Sequence, residues 1–108
     1  MELTPIKPTS VMNVTDMVEY SSNGVVSKKI LQKSTGNVTL FSFDKDQQLS
    51  EHTAPFDAMV QILEGESEIS INKKPYLLKA GDSIIMPANI PHAVYATSKF
   101  KMLLTMIK

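Results

Sequence analysis

Hydrophobic and polar residues alternate along most of this chain, and short polar or glycine-containing segments interrupt the alternation. The pattern is clear over residues 25–32, where successive side chains would point to opposite faces of a sheet, and it resumes over 38–43. Further stretches of this kind follow at about 57–63, 66–72, 75–79, 83–87, 92–97 and 99–107. Eight or nine short strands separated by turns, with almost no helix, predict an all-β sandwich or barrel.

The first 24 residues follow a different pattern. Pro5 and Pro8 favour an extended arm or an edge strand over residues 1–10, since proline donates no hydrogen bond to a central ladder. Apolar residues between 11 and 18 recur at helical spacing, over a length that allows no more than about two turns. We therefore predict an N-terminal arm with a helical turn in residues 1–24 and a barrel in residues 25–108, together forming one domain.

Composition argues against several classes of function. The 11 basic residues are all lysine, 11 acidic residues balance them, and no basic cluster stands out, so we expect no nucleic-acid partner. The absence of cysteine excludes disulfides, zinc–thiolate sites and cysteine nucleophiles. Neither a secretory signal nor an apolar run long enough to span a membrane is apparent, which predicts a cytoplasmic protein with no membrane partner.

The only two histidines of the chain each belong to a spaced set of residues. The first set consists of Asp46, His52, Ala54, Ala58 and Gly65. The second set consists of Gly81, Pro87, Asn89, His92 and Ala96. Both sets resemble the two motifs of the cupin superfamily, and the resemblance covers roughly residues 38–108. It implies an all-β cupin jelly roll, a double-stranded β-helix barrel, here with a short N-terminal helical turn.

The first set keeps part of the family's pattern. His52 matches the first histidine of its motif and Gly65 matches the final glycine, whereas Ala54 and Ala58 replace a histidine and a glutamate. Asp46 stands where the motif begins with glycine.

The second set departs less from its motif. Gly81, Pro87 and His92 match, Asn89 takes a glycine position and Ala96 takes an asparagine position. Asparagine tolerates the left-handed backbone conformation best among the non-glycine residues, so we expect Asn89 to preserve the turn.

The resemblance implies a metal site of three histidines and one glutamate, of which this chain retains only His52 and His92. These two would form an incomplete set for a divalent transition metal such as Fe, Mn, Ni or Zn. Candidates for a further ligand are Asp57, Gln61, Gln47, Gln48, Glu51, Asn89 and Tyr95. Asp57 and Gln61 are out of phase with Ala58, and neighbouring residues of a strand face opposite sides.

The replacement of two ligands by alanine has a second consequence. A wider, more apolar cavity lined by Ala54, Ala58, Val60, Val94 and Ala96 would suit a small organic molecule, with the two histidines as polar anchors. Alternatively, the alanines simply fill a packed barrel. Three functions follow: a small-molecule-binding cupin, a metal-dependent isomerase or dioxygenase of a small polar metabolite, and a sensor domain resembling the sugar-binding halves of some regulators.

The last predicted strand concerns the oligomeric state. Residues 102–107 are apolar on both faces, and a strand buried on both faces needs cover beyond the interior of one small barrel. The resemblance implies homodimers that form by sheet packing, often with exchange of an N-terminal strand. We therefore predict a homodimer, with the chain itself and an unidentified small molecule as its partners.

Overall fold

The computed structural model describes residues 6–108, and almost all regular structure in that range is β-strand. The strands are β1 Val25–Lys33, β2 Gly36–Phe43, β3 Gln48–His52, β4 Asp57–Glu64, β5 Glu66–Ile71, β6 Lys74–Lys79, β7 Ser83–Met86, β8 His92–Tyr95 and β9 Phe100–Ile107. A single 3₁₀ turn, Val14–Met17, precedes them. The predicted all-β architecture is confirmed.

Two antiparallel sheets pack face to face. The five-stranded sheet has the order β1-β2-β9-β4-β7, and the four-stranded sheet has the order β3-β8-β5-β6. Strands distant in sequence are therefore neighbours, with β9 between β2 and β4 and β8 between β3 and β5. Connections that pass between the two sheets in this way form a jelly-roll barrel.

The core lies between the sheets and draws on every second residue of the strands that line it. On β4, Ala58, Val60 and Ile62 are buried, while Asp57 and Met59 face outward. The same period of two places Phe100, Met102, Leu104 and Met106 of β9 against the core. Alternation over these strands is what the sequence predicts, because successive side chains of a strand point to opposite faces.

Several predicted boundaries differ from the structure. No strand was expected between residues 43 and 57, whereas β3 begins at Gln48 and pairs with β8. Residues 6–10 form a turn without a strand, and the remainder of the predicted arm, residues 1–5, lies outside the described residues. The helical segment is one 3₁₀ turn of four residues, shorter than the two turns that its spacing allows.

The residues before β1, 6–24, form an N-terminal segment that packs on the outer face of the five-stranded sheet. Val18 of this segment is only 4% exposed, and Leu40 of β2, which lies outside the core between the sheets, is fully buried. Ser42 Oγ donates a hydrogen bond to the carbonyl oxygen of Glu19 at 2.7 Å, and Lys101 Nζ donates to that of Thr15 at 2.7 Å. The segment therefore covers one end of an outward-facing surface that would otherwise be partly apolar.

A further polar contact fixes the end of this segment. The Tyr20 hydroxyl donates a hydrogen bond to Glu64 Oε2 at 2.6 Å, and the Lys101 ammonium lies 5.2 Å from the centre of the Tyr20 ring. Partial burial, followed by the hydrogen bond to Glu64 and the charge of that carboxylate, raises the pKa of Tyr20 above its ordinary value. Tyr20 therefore stays protonated and continues to donate at neutral pH.

No helix within residues 6–108 is long and apolar enough to cross a membrane.

Candidate functional site

A β-bulge brings the two histidines together. In the pairing of β3 with β8, Gln48 lies opposite Tyr95 and Leu49 opposite Val94, but His52 lies opposite His92. The register therefore gains one residue on β3 between Leu49 and His52. Without that extra residue, His52 would face away from the barrel, because a shift of one residue turns a side chain to the other face.

The imidazole rings are in direct contact. Their centroids are 4.4 Å apart, and the ring planes make an angle of 66°, an edge-to-face arrangement. Each ring is also held by a main-chain carbonyl oxygen two residues upstream. His52 Nδ1 lies 2.6 Å from the oxygen of Ser50, and His92 Nδ1 lies 3.1 Å from the oxygen of Ile90.

These contacts define the tautomer of each ring. A carbonyl oxygen only accepts hydrogen bonds, so each Nδ1 carries the proton and the Nε2 of a neutral ring holds a free lone pair. Neither Nε2 atom has a protein hydrogen-bond partner within residues 6–108. No buried side-chain nitrogen or oxygen in that range lacks a partner, which implies that the Nε2 of His92 reaches solvent although the residue is only 7% exposed.

The loop before β8 forms part of the rim around the histidines. Asn89 has a φ of 62°, as its place at a motif glycine predicts, and its N–H donates to the carbonyl oxygen of Ala54 at 2.8 Å. The N–H of Ala88 donates to Asp57 Oδ1 at 3.0 Å. These bonds tie the loop to the segment between β3 and β4, so the residues that follow His52 and those that precede His92 meet at one end of the barrel. We call this end the mouth.

The other predicted pocket residues lie at different depths. Ala54 is half-buried beside the rim. Ala58, Val60, Val94 and Ala96 belong to the hydrophobic core and are at most 7% exposed. Large side chains, including Phe43, Met86, Phe100 and Met102, occupy the same core.

The residues considered as further metal ligands have other structural roles. Asp57 faces outward, as its phase predicts, and holds the Ala88 N–H. Glu51 forms an exposed ion pair with Lys73 at 3.3 Å. Tyr95 donates to Asp46 Oδ1 at 2.7 Å, and this hydrogen bond is the main reason that the pKa of Tyr95 is raised.

The donor set at the mouth does not fit the metal site that the resemblance implies. Within residues 6–108 no group of three or more histidine, cysteine, aspartate or glutamate side chains could hold a metal ion. Two imidazoles remain, whereas catalytic metal sites usually have three protein ligands.

Some features that shape the site have no direct signature in the sequence. The carbonyl groups of Ser50 and Ile90 fix the ring orientations, and backbone atoms have no sequence signature. Pro91 provides the one available signal, since it biases Ile90 toward an extended backbone. Ile71 of β5 pairs with His92 on the side of β8 away from β3, and it packs against the core. This neighbour of His92 follows from the strand pairing and not from the local sequence.

Comparison with known proteins agrees with this architecture. The family model described as "Cupin domain" matches residues 39–108, more than half of the chain. The structure is similar to that of a conserved protein of unknown function from Streptococcus pyogenes, with a TM-score of 0.91 and 38% identity over 100% of this chain and 95% of that one. It is also similar to a cupin superfamily protein from Desulfitobacterium hafniense, with a TM-score of 0.89 and 26% identity over 99% of this chain and 98% of that one.

A curated relative extends the comparison to a larger protein. The chain is 32% identical over 99 residues to the HTH-type transcriptional regulator PuuR of Escherichia coli (strain K12), a match that covers 87% of this chain and 53% of the regulator. The chain thus spans about half the length of the curated relatives it matches. The fold, the two spaced sets of motif residues and the match over residues 39–108 together show that this chain belongs to the cupin domain family.

Proposed function

We propose that this protein binds a small molecule at the mouth of the barrel, with His52 and His92 as the polar anchors. The observation that carries the proposal is the pair of touching imidazoles, 4.4 Å apart, whose Nδ1 atoms are both occupied by main-chain carbonyls. Two ring nitrogens held in fixed orientations beside an apolar core match the usual character of a ligand site, in which a few polar groups orient a mainly apolar contact.

The protonation of the rings defines which ligand groups fit. Neutral rings offer two Nε2 acceptors, which suit the hydroxyl or N–H groups of a ligand. A ring that gains a proton donates from Nε2 and suits a carboxylate or phosphate oxygen. The apolar part of the ligand would rest toward Ala58, whose side chain is inward and 7% exposed.

The similarity to a transcriptional regulator supports a sensing role for this binding. The matched region extends over 87% of this chain but over only 53% of PuuR. We propose that the barrel detects its ligand without transforming it. A metal-dependent isomerase or dioxygenase is the alternative, and it requires protein ligands beyond the two imidazoles.

A thermal-shift panel tests the binding proposal. We expect at least one compound among small carboxylic acids, sugars and sugar phosphates to raise the melting temperature of the wild-type protein. His92→Ala should abolish that rise, because it removes the anchor that is more deeply held. Lys73→Ala, an exposed substitution in the β5–β6 turn, is the matched control and should retain it.

Two results would contradict the proposal. One is an equal rise in His92→Ala and in the wild type, which would place the ligand away from the mouth. The other is stoichiometric Fe, Mn, Ni or Zn in untagged protein that is lost in the His52→Ala/His92→Ala variant, which would favour the enzyme.

We also propose that two copies associate through the outer face of the five-stranded sheet. Leu31, Ile85 and Ile107 are 62%, 63% and 61% exposed, and Met59 is 37% exposed on the same face. A contiguous set of exposed large apolar residues is typical of an interaction site. Light scattering at micromolar concentration should give the mass of a dimer, and the mass of a monomer would contradict this part of the proposal.

A further inference from the structure

The outer face of the five-stranded sheet is covered at only one end. Ser42 and Lys101 of this face donate hydrogen bonds to the backbone of the N-terminal segment, and Leu40 of the same strand as Ser42 is fully buried. The opposite end of the face, beside the mouth, has no cover within residues 6–108, and the exposed apolar residues are concentrated there.

Two shallow apolar hollows occupy this uncovered end. One, of about 220 Å³, lies over β1, β2 and β9, with Leu31 and Val38 in its lining. The other, of about 210 Å³, lies over β9, β4 and β7, with Met59 and Ile85 in its lining. Thr105 and Ile107 of β9 border both, so the hollows are adjacent.

Each hollow has one charged residue, and the two charges are opposite. Lys33 of β1 borders the first hollow, and Asp57 of β4 borders the second. Neither side chain forms a salt bridge within residues 6–108. The strand registers place both at the same level, because Lys33 pairs with Gly36, Gly36 with Ile107, and Ile107 with Asp57.

This arrangement of charges distinguishes two ways of stacking two copies. In a symmetric dimer of stacked sheets the two-fold axis lies in the plane between them. If the two-fold axis is perpendicular to the strands, β1 lies against the partner's β1. Lys33 of one copy and the partner's Asp57 are then still three strands apart. An axis parallel to the strands, between β2 and β9, reverses the strand order and sets β1 against the partner's β4.

We propose that the two-fold axis of the dimer runs parallel to the strands, so that Lys33 of each copy pairs with the partner's Asp57. This inference rests on the proposed dimer. The same operation sets Leu31 against the partner's Met59, which fills apolar surface with apolar surface. It also sets β2 against the partner's β9, so the N-terminal segments of the two copies, which are bonded to Ser42 of β2 and Lys101 of β9, face each other at the covered end, and both mouths open toward the same side of the dimer.

The absence of cysteine from the sequence allows a direct test by cross-linking. Within one chain, β1 and β4 are three strands apart, about 14 Å, which is too far for a disulfide. We expect the Lys33→Cys/Asp57→Cys variant to give mainly covalent dimer on a non-reducing gel after mild oxidation. Lys33→Cys alone and Asp57→Cys alone should stay uncross-linked.

A control pair uses another lysine of the same strand. Lys28 pairs with Leu40, toward the covered end of the face, so Lys28→Cys/Asp57→Cys should not cross-link. Cross-linking of Lys33→Cys alone would indicate an axis across the strands and overturn the inference. So would a wild-type dimer whose double variant does not cross-link, with circular dichroism confirming that the variant is folded. A monomeric wild type would instead overturn the proposed dimer itself.

Discussion

Replacement of Gly65 by alanine is expected to lower the free energy of unfolding by about 2–5 kcal/mol. Gly65 joins β4 to β5 with a φ of +78°, and a Cβ there would overlap the carbonyl oxygen of Lys99 and lie 2.7 Å from Phe100 Cβ. The overlapping atoms belong to the backbone and to the base of a fully buried side chain, so neither can move without disturbing the start of β9. The cost therefore combines backbone strain with steric overlap.

Gly81→Ala is the matched control for this effect. Gly81 also has a positive φ, +96°, but a Cβ there would meet nothing within 4 Å. Its substitution should cost only the backbone strain, on the order of 1–2 kcal/mol. Urea unfolding of the wild type and both variants measures the difference, and equal losses in the two variants would show that the close approach to β9 contributes nothing.

The alternation of apolar residues was sufficient to predict most of the fold. It located β1, β2 and the strands after Ala54 to within a few residues, because those strands have one face in the core and one outside. It missed β3, whose side chains are mostly exposed and polar, so that hydrophobic burial leaves no period of two in its sequence. Long-range pairing with β8 forms this strand, and such pairing is invisible to a local pattern.

The turns were predictable where one residue type has a specific backbone role. Gly65, Gly81 and Asn89 stand at positions where the motifs have glycine, and all three have positive φ. Asp46, at the remaining motif glycine, also has a positive φ of 70°. The left-handed conformation is costly for most residues, so a turn that requires it is marked in the sequence by glycine, asparagine or aspartate.

The candidate site was predictable only in part. Spacing brought His52 and His92 to corresponding motif positions, and the structure places them in contact. The bulge in β3 that turns His52 inward could not be predicted, because nothing in Ser50 or Glu51 distinguishes a regular strand from a bulged one. The alternation did predict that Asp57 faces outward, which excludes it from the mouth.

Replacement of Phe100 by alanine is expected to lower the free energy of unfolding by about 3–5 kcal/mol. Phe43 and Phe100 are opposite each other on β2 and β9, both are fully buried, and their rings stack with centroids 4.6 Å apart. Truncation removes the stack and leaves a void in a core that cannot close without moving two paired strands. Phe100→Leu, which retains much of the volume, should cost less and remain folded.

Phe41→Ala is the control for Phe100→Ala, since Phe41 is half-buried and its ring lies 6.0 Å from that of Phe43 at an angle of 35°. Its loss should be clearly smaller in the same urea experiment, and an equal loss would contradict the central role of the stack. Phe100 is six residues from Met106, which pairs with Ala58 near the mouth, a separation of about 20 Å along β9. Phe100→Leu should therefore lower the melting temperature of the protein but leave unchanged the rise in melting temperature that a ligand at the mouth produces. His92→Ala should abolish that rise, because the core around Phe100 stabilises the barrel whereas the imidazoles at the mouth bind the ligand.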